Sequence, residues 1–252
     1  MRTLAALLLV SNLGVARAQF SEADTLRWQY CVSATGNWLR GNVEQFTLLG
    51  TGEVAHVREH WGIKSAISYQ YGTFFYRQTL GEGIWRNFFY VEPRARVYPY
   101  LMLWYQRSYQ RGIDHRTQVG PGMTCVVLRQ KGQVLKLSAT GTFEENTFRT
   151  ASFRERPDLT SKELQTWRLT GRLYGEHQLL VGLMRLQYEG WVQPSLTDAD
   201  NLRAMVEANL SIPLKKGFAL RQAVRWSYES VVQERNTYED LLWTFGVSYE
   251  KR

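Results

Sequence analysis

Hydrophobic and polar positions alternate strictly in the segment from Asp240 to Tyr249. The odd-numbered positions carry large apolar side chains: Leu241, Trp243, Phe245, Val247 and Tyr249. The positions between them are mostly small or polar. Because successive side chains of a strand point to opposite faces, the segment predicts a strand with one apolar, aromatic face. Such a face either covers a soluble core or, in an outer-membrane β-barrel, meets lipid.

The same period of two recurs along the chain and predicts twelve strands. Their ranges are 26–38, 45–55, 61–71, 85–97, 100–106, 117–127, 134–143, 164–174, 179–189, 202–212, 218–228 and 240–249. The phase of the fifth strand stays open, and the ninth is ambiguous. Pro93 inside the fourth strand predicts a bulge or a break, because proline cannot donate a ladder hydrogen bond.

The connections alternate in length. Those predicted to be short are 57–60, 98–99, 129–132, 175–176 and 213–217, and 39–42 is a short exception among the others. Those predicted to be long are 73–83, 107–116, 144–163, 191–201 and 230–237. Short turns at one rim and long loops at the other are typical of an outer-membrane barrel, whose termini lie on the periplasmic side. The fold predicted is all-β, a single up-and-down antiparallel transmembrane β-barrel of about twelve strands.

The first residues are typical of a cleavable secretory signal. Arg2 precedes an apolar run from Leu4 to Val10, and Ala16-Arg17-Ala18 is a small-x-small cleavage site. The run is shorter than the roughly 20 residues that a transmembrane helix needs. We therefore expect a signal peptide at 1–18 and a barrel at 19–252.

Composition agrees with a barrel. The chain has 9 Trp, 14 Tyr and 11 Phe, yet its mean hydropathy is −0.36. Alternate exposure to lipid produces this combination. Cys31 and Cys125 lie on the first and sixth strands with opposite predicted directions, so we expect two thiols that form no disulfide.

The net charge of +8 raises the question of nucleic-acid binding. The basic residues are spread over alternate strand positions and form no single patch, so no nucleic-acid partner is expected. The lumen-lining charges predicted from the strand phases are Arg27, Glu53, Lys64, Arg86, Glu92, Arg94, Arg96, Lys136, Arg168, Arg172, Arg203, Glu207, Arg221 and Arg225, with Asp240. Buried acids should pair with these bases, and the unpaired basic remainder predicts a partly hydrated lumen that favours anions.

Two short motifs carry a family resemblance. The first is Ala34-Thr35-Gly36-Asn37-Trp38-Leu39-Arg40-Gly41-Asn42, and the second is Arg116-Thr117-Gln118-Val119-Gly120-Pro121-Gly122. With the aromatic segment between them, the chain over 28–143 resembles the uncharacterised outer-membrane β-barrel family typified by a salt-induced outer-membrane protein. Met123 departs from that pattern, where an aromatic residue is typical. The resemblance implies a small outer-membrane barrel and brings no catalytic residue.

Three functions remain open. The first is a narrow passive pore for small solutes that leans to anions, and the second is a structural or stress-related envelope barrel with a plugged lumen. The third, weaker, is a barrel-embedded hydrolase, for which His115 beside Asp114 is the one histidine predicted at the long-loop rim. We expect no enzyme activity. No cofactor or structural metal is expected either, because His56-x-x-x-His60 spans a turn instead of a helix.

Acidic loop tips could bind Ca²⁺ weakly but are more often solvated; here they are Asp198 with Asp200 and Glu144 with Glu145. The expected surroundings are outer-membrane lipid and lipopolysaccharide, with insertion by the barrel assembly machinery. Localisation in the bacterial outer membrane follows, with both termini periplasmic; the oligomeric state stays open.

Overall fold

A computed structural model describes residues 27–40 and 44–251 as a closed barrel of antiparallel strands. The strands are β1 Trp28–Leu39, β2 Gln45–Val57, β3 Trp61–Phe74, β4 Arg77–Val91, β5 Val97–Ser108, β6 Ile113–Gln130, β7 Gln133–Phe148, β8 Glu163–Leu179, β9 Met184–Pro194, β10 Leu202–Pro213, β11 Phe218–Glu229 and β12 Glu239–Lys251. Each strand pairs with its neighbours in the sequence, and β12 closes the ring against β1. The predicted up-and-down fold is confirmed. The predicted signal segment 1–18 and the Gly41-Asn42 turn lie outside the described residues.

The alternation places apolar side chains outside and polar side chains inside. On β12 the aromatic stripe faces outward, with Leu241 72% and Trp243 57% exposed, whereas Thr244 and Ser248 are buried in the bore. Cys31 faces the bore and Cys125 the outer wall, and no disulfide joins them. In the described part of the chain, no helix has the length and apolar character needed to cross a bilayer.

The predicted fourth strand was wrong at both ends. β4 starts at Arg77 and stops at Val91, and a turn over 92–96 precedes β5. Glu92 has a φ of 50°, and the amide of Ala95 donates to its carbonyl. Pro93, which follows, has no amide hydrogen for a ladder. The predicted break at Pro93 is therefore present, whereas the turn predicted at 98–99 lies inside β5.

Three further connections differ from prediction. The loop predicted at 107–116 is a short turn over 109–112, because β5 continues to Ser108 and β6 begins at Ile113. The segment 73–83 is not a loop, because β3 and β4 meet in a tight hairpin at Phe75 and Tyr76, both with positive φ. The turn predicted at 175–176 lies inside β8, and the chain reverses at 180–183 instead. The long connections are consequently 149–162, 195–201 and 230–238, all on one side of the ring.

Two of these loops fold over the long-loop rim. Phe153 pairs with Gln233 in an isolated bridge, and the amide of Arg154 donates to the carbonyl of Val232 at 2.9 Å. Beneath them lies a small apolar cluster of buried side chains: Ile113, Phe148, Phe153 and Val231. The loops therefore cover part of this end of the bore with a packed lid of their own.

Candidate functional site: a divided bore

Side chains from opposite sides of the ring meet inside the barrel. Several contacts join strands four or five places apart, among them Arg86 with Glu189 at 3.4 Å, Trp104 with Trp191 at 5.7 Å between ring centroids, and Arg116 with Glu229. Strands this far apart in the ring face each other, so these cross-bore contacts span the lumen. They divide it into two unlike halves.

The packed half, beside β6–β9, is filled by side chains. Glu144 is its centre, 1% exposed, and accepts hydrogen bonds from Arg168 at 3.0 Å and from Arg203 at 2.7 Å. Gln118 donates to the same carboxylate at 2.5 Å, and Arg116 lies 4.0 Å away. A buried carboxylate among three guanidinium groups remains charged because Coulombic attraction and hydrogen bonds offset its desolvation.

The sequence pattern predicts Glu144 in a loop with Glu145, and this prediction is wrong. β7 continues to Phe148, so Glu144 lies in the wall and points inward. In the other predicted acidic loop, Asp198 accepts a hydrogen bond from Arg156 at 2.9 Å. Within residues 27–40 and 44–251, no group of three acidic, histidine or cysteine side chains is placed to hold a metal ion.

The other half, beside β10–β12 and β1–β4, contains open space large enough for water, and we call it the hydrated half. A long-loop cavity of about 310 Å³ occupies its upper part, and a short-turn cavity of about 140 Å³ its lower part. Ser68, Arg86, Glu207 and Arg225 line both cavities. These four side chains therefore form the boundary between the two cavities.

Charge is distributed unevenly between the cavities. The long-loop cavity is balanced, lined by Arg86, Arg111, Arg203 and Arg225 against Glu82, Glu207, Glu229 and Asp240. The short-turn cavity has a basic excess, lined by Lys64, Arg86, Arg172, Arg221 and Arg225 against Glu53, Glu189 and Glu207. Of the two cavities, only the short-turn cavity therefore has an excess of basic lining residues.

The acids of the short-turn cavity each have a basic partner. Lys64 lies 2.8 Å from Glu53, Arg225 lies 2.7 Å from Glu207, and Arg172 lies 3.0 Å from Glu189.

Arg221 differs from these bases. It donates to Asn209 at 2.6 Å and to Ser33 at 3.0 Å. Among the described residues, no carboxylate lies within ion-pair distance of Arg221. Its guanidinium group therefore donates hydrogen bonds to neutral oxygens only, although it also interacts electrostatically with the more distant carboxylate of Glu207.

The remaining predicted lumen residues divide into two groups. Lys136 and Arg168 are buried inside the packed half. Arg27 is exposed just before β1, whereas Glu92, Arg94 and Arg96 lie in the exposed turn after β4 and do not line the bore. The prediction for Glu92, Arg94 and Arg96 was wrong because the charged residues of this turn continue the polar and apolar alternation of β4.

Several bore residues were missed by sequence reasoning: Glu82, Arg111, Arg116, Glu144, Glu176, Arg185, Glu189 and Glu229. Most of them lie where the strands extend above or below the apolar belt, in segments assigned to loops or to an ambiguous strand. The signal that could have found them is the inward polar series through Thr140, Thr142, Glu144 and Asn146, which continues without a break.

The contacts of His115, His60 and His56 are those of structural residues. His115 lies on β6 instead of in a loop, is exposed, and is 3.0 Å from the hydroxyl of Thr147, with no described serine as its partner. His60 lies 2.7 Å from Glu92 and joins the two neighbouring short turns. This hydrogen bond, and the charge of Glu92, raise the pKa of His60 above its ordinary value. His56 is buried within β2 against Trp28.

The fold resembles solved outer-membrane barrels at very low sequence identity. The NanC porin has a TM-score of 0.53 and 7% identity over 88% of this chain and 98% of its own. The KdgM porin in complex with disordered oligogalacturonate has a TM-score of 0.48 and 10% identity, over 88% of this chain and 99% of its own. The translocator domain of the autotransporter NalP from Neisseria meningitidis has a TM-score of 0.47 and 12% identity, over 91% of this chain and 90% of its own. The likeness to NanC concerns the fold alone.

Sequence comparison gives the family without an activity. No curated protein matches the chain. The profile of a family described as "Protein of unknown function, DUF481" matches residues 32–250. That description does not mention salt induction, which stays a prediction. Because the match extends over most of the chain, the protein belongs to the DUF481 family.

Proposed function

We propose that this protein is a narrow passive pore of the bacterial outer membrane, for small solutes and with a preference for anions. The observation that carries the proposal is the pair of adjacent cavities that share Ser68, Arg86, Glu207 and Arg225 as lining residues. Barrels of about 8 strands are filled by side chains and those of 16–18 contain wide channels. A twelve-stranded barrel that is half filled lies between these limits.

The anion preference rests on the short-turn cavity. Its basic side chains outnumber its acids, and in the described chain the hydrogen-bond partners of the Arg221 side chain are all neutral. A fixed positive charge that lines a cavity on the solute path lowers the energy of an entering anion and raises that of a cation.

Planar-bilayer recording in a salt gradient tests both statements. The unmodified protein should conduct with an anion-favouring reversal potential, and Arg221→Gln should move that potential towards zero. Arg235→Gln, in an exposed part of the β11–β12 loop, is the matched control and should leave it unchanged. A cation-favouring potential in the unmodified protein contradicts the charge argument.

The outward apolar belt supports the membrane assignment. We propose that the short-turn rim, where β1 begins and β12 ends, faces the periplasm, with lipid and lipopolysaccharide around the wall and the barrel assembly machinery as its insertion partner. Labelling of a cysteine at exposed Arg235 in intact cells, and no labelling of one at exposed Arg94, would agree with this orientation. The reverse pattern would overturn it.

A second candidate function is a structural or stress-related envelope barrel without conductance. The cross-bore contacts and the lid formed by 149–162 and 230–238 favour it, because both obstruct the bore. Absence of current in the bilayer experiment would select this alternative. Neither candidate is an enzyme, and for the hydrolase alternative the hydroxyl beside His115 in the described chain is that of Thr147 instead of a serine.

A further inference from the structure

A recess of about 510 Å³ lies on the outer wall at β3–β5, away from the bore. Two glycines open it, because Gly81 and Gly83 occupy outward positions of β4 without a side chain. Gly81 is paired with Tyr71 and Gly83 with Tyr69, and Tyr69 points outward with 55% of its side chain exposed. The wall is therefore bare where the surrounding positions carry large residues.

The floor and sides of the recess are aromatic and apolar. They are formed by Ile67, Tyr69, Trp85, Tyr105 and Tyr109, all of them exposed. An ordinary aromatic girdle presents rings to the membrane interface without enclosing volume. Here the rings border an open groove that runs from the apolar belt towards the long-loop rim, which suits an extended hydrocarbon chain.

The upper end of the groove is basic. The side chain of Arg107 is exposed and, in the described part of the chain, has no hydrogen-bond or ion-pair partner. Arg149 lies over the ring of Tyr109 at 4.7 Å and bonds Asp114 at 3.2 Å. One acid against two guanidinium groups leaves a net positive charge at the membrane surface.

We propose that this recess binds a phosphate-bearing membrane lipid. One acyl chain lies against Tyr69, Trp85 and Tyr105, and the phosphate lies between Arg107 and Arg149. Guanidinium groups bind phosphate with paired, charge-assisted hydrogen bonds, whereas the apolar groove selects a molecule with a hydrocarbon chain over a free phosphate. The site is independent of conductance, because its ligand-facing side chains stand on the outer surface of the wall.

The glycines provide a selective way to fill the groove. A Cβ at Gly83 would meet Tyr69 no closer than 3.7 Å, so a leucine there enters the recess without displacing the backbone. Gly81 is unsuitable, since a Cβ there would lie 2.5 Å from Gln78. The matched control is Gly171→Leu, because Gly171 is exposed on β8 and its Cβ would meet nothing within 4 Å.

The test is native mass spectrometry of the purified barrel in detergent with added phosphatidylglycerol. The unmodified protein and Gly171→Leu should retain a single lipid. Gly83→Leu and the double variant Arg107→Gln/Arg149→Gln should each weaken binding about tenfold or more, from lost space and lost charged hydrogen bonds respectively. Uncharged monoolein should not be retained, and excess inorganic phosphate should not displace the lipid.

Equal retention by the unmodified protein and by either Gly83→Leu or the arginine double variant would overturn the proposal. Retention of monoolein, or displacement by inorganic phosphate, would do the same. Heat-modifiable mobility verifies that each variant is folded. If Gly83→Leu does not fold, the double variant decides, because both arginines are exposed on the outer rim.

Discussion

The two halves of the bore use the same residue types with different results. In the packed half, Glu144 is surrounded by arginines and a glutamine, which shield its carboxylate almost entirely from water. In the hydrated half, Glu53 and Lys64 form one pair beside open space, and Glu53 keeps 29% of its side chain accessible. Glu144, which several bases share, therefore lies in a closed interior, whereas the single pair of Glu53 and Lys64 lies beside open space.

This difference has an energetic cause. Removal of a charge from water is expensive, so a buried ionic cluster is stable only if nearly every hydrogen-bonding group is satisfied. Single pairs beside a cavity keep part of their hydration and depend less on their partner. The packed half should consequently be sensitive to substitution and the hydrated half tolerant.

Glu144→Gln should have the largest effect. It leaves Arg116, Arg168 and Arg203 without their shared carboxylate, and loss of one partner from a buried ionic group costs about 3–5 kcal/mol. Glu53→Gln, in the hydrated half, should cost about 1 kcal/mol or less. Urea unfolding in lipid vesicles, followed by tryptophan fluorescence, measures both. Equal losses would mean that the halves do not differ in solvation.

The outer surfaces of the two halves should be equivalent. Leu137→Arg on β7 and Val206→Arg on β10 place a cation on the exposed apolar wall, which costs roughly 2–4 kcal/mol near the middle of the bilayer. The same unfolding measurement should give similar losses for both. A large difference would show that the contrast between the halves extends through the wall.

Larger side chains inside the bore should also affect the two halves differently, with a smaller change in the free energy of unfolding. Thr142 is fully buried in the packed half, so Thr142→Met should cost about 1–3 kcal/mol by overpacking. Ser68 lines both cavities, so Ser68→Met should leave the unfolding free energy nearly unchanged. Under the proposed function it should also lower single-channel conductance, whereas Thr142→Met should not. Conductance that ignores Ser68→Met would place the solute path elsewhere.

The smallest effect concerns the rim of the hydrated half, at His60 and Glu92. Because the pKa of His60 is raised, its contribution to stability is complete below the ordinary histidine pKa of about 6.5 and is lost as the pH rises through the higher folded value. Glu92→Gln should return the pKa of His60, measured by NMR titration, towards that ordinary value. An unchanged pKa would exclude this contact in solution.

Sequence pattern predicted the wall far better than the bore. The strict alternation of 202–212 and 240–249 corresponds closely to β10 and β12, because only one face of each strand meets lipid. The pattern failed where strands leave the membrane belt. There Glu144 and Glu145 look like a solvated loop, although only Glu145 is exposed.

The pairing inside the bore could not be derived from one sequence. Arg116 and Glu229 are 113 positions apart, and they meet only because the ring brings β6 opposite β11. Strand phase predicts that each points inward. It does not predict which residues across the lumen are partners, because that depends on barrel diameter and strand stagger.

The cross-bore contacts also have a mechanical consequence. An open cylinder of hydrogen-bonded strands resists flattening only through the stiffness of its wall. Here facing strands are also connected through the bore by the contacts Arg86–Glu189, Trp104–Trp191 and Arg116–Glu229. A close-packed interior transmits strain between the strands that it connects. Lateral pressure from the bilayer is therefore borne by the interior as well as by the wall, and the circular cross-section should survive changes in membrane tension.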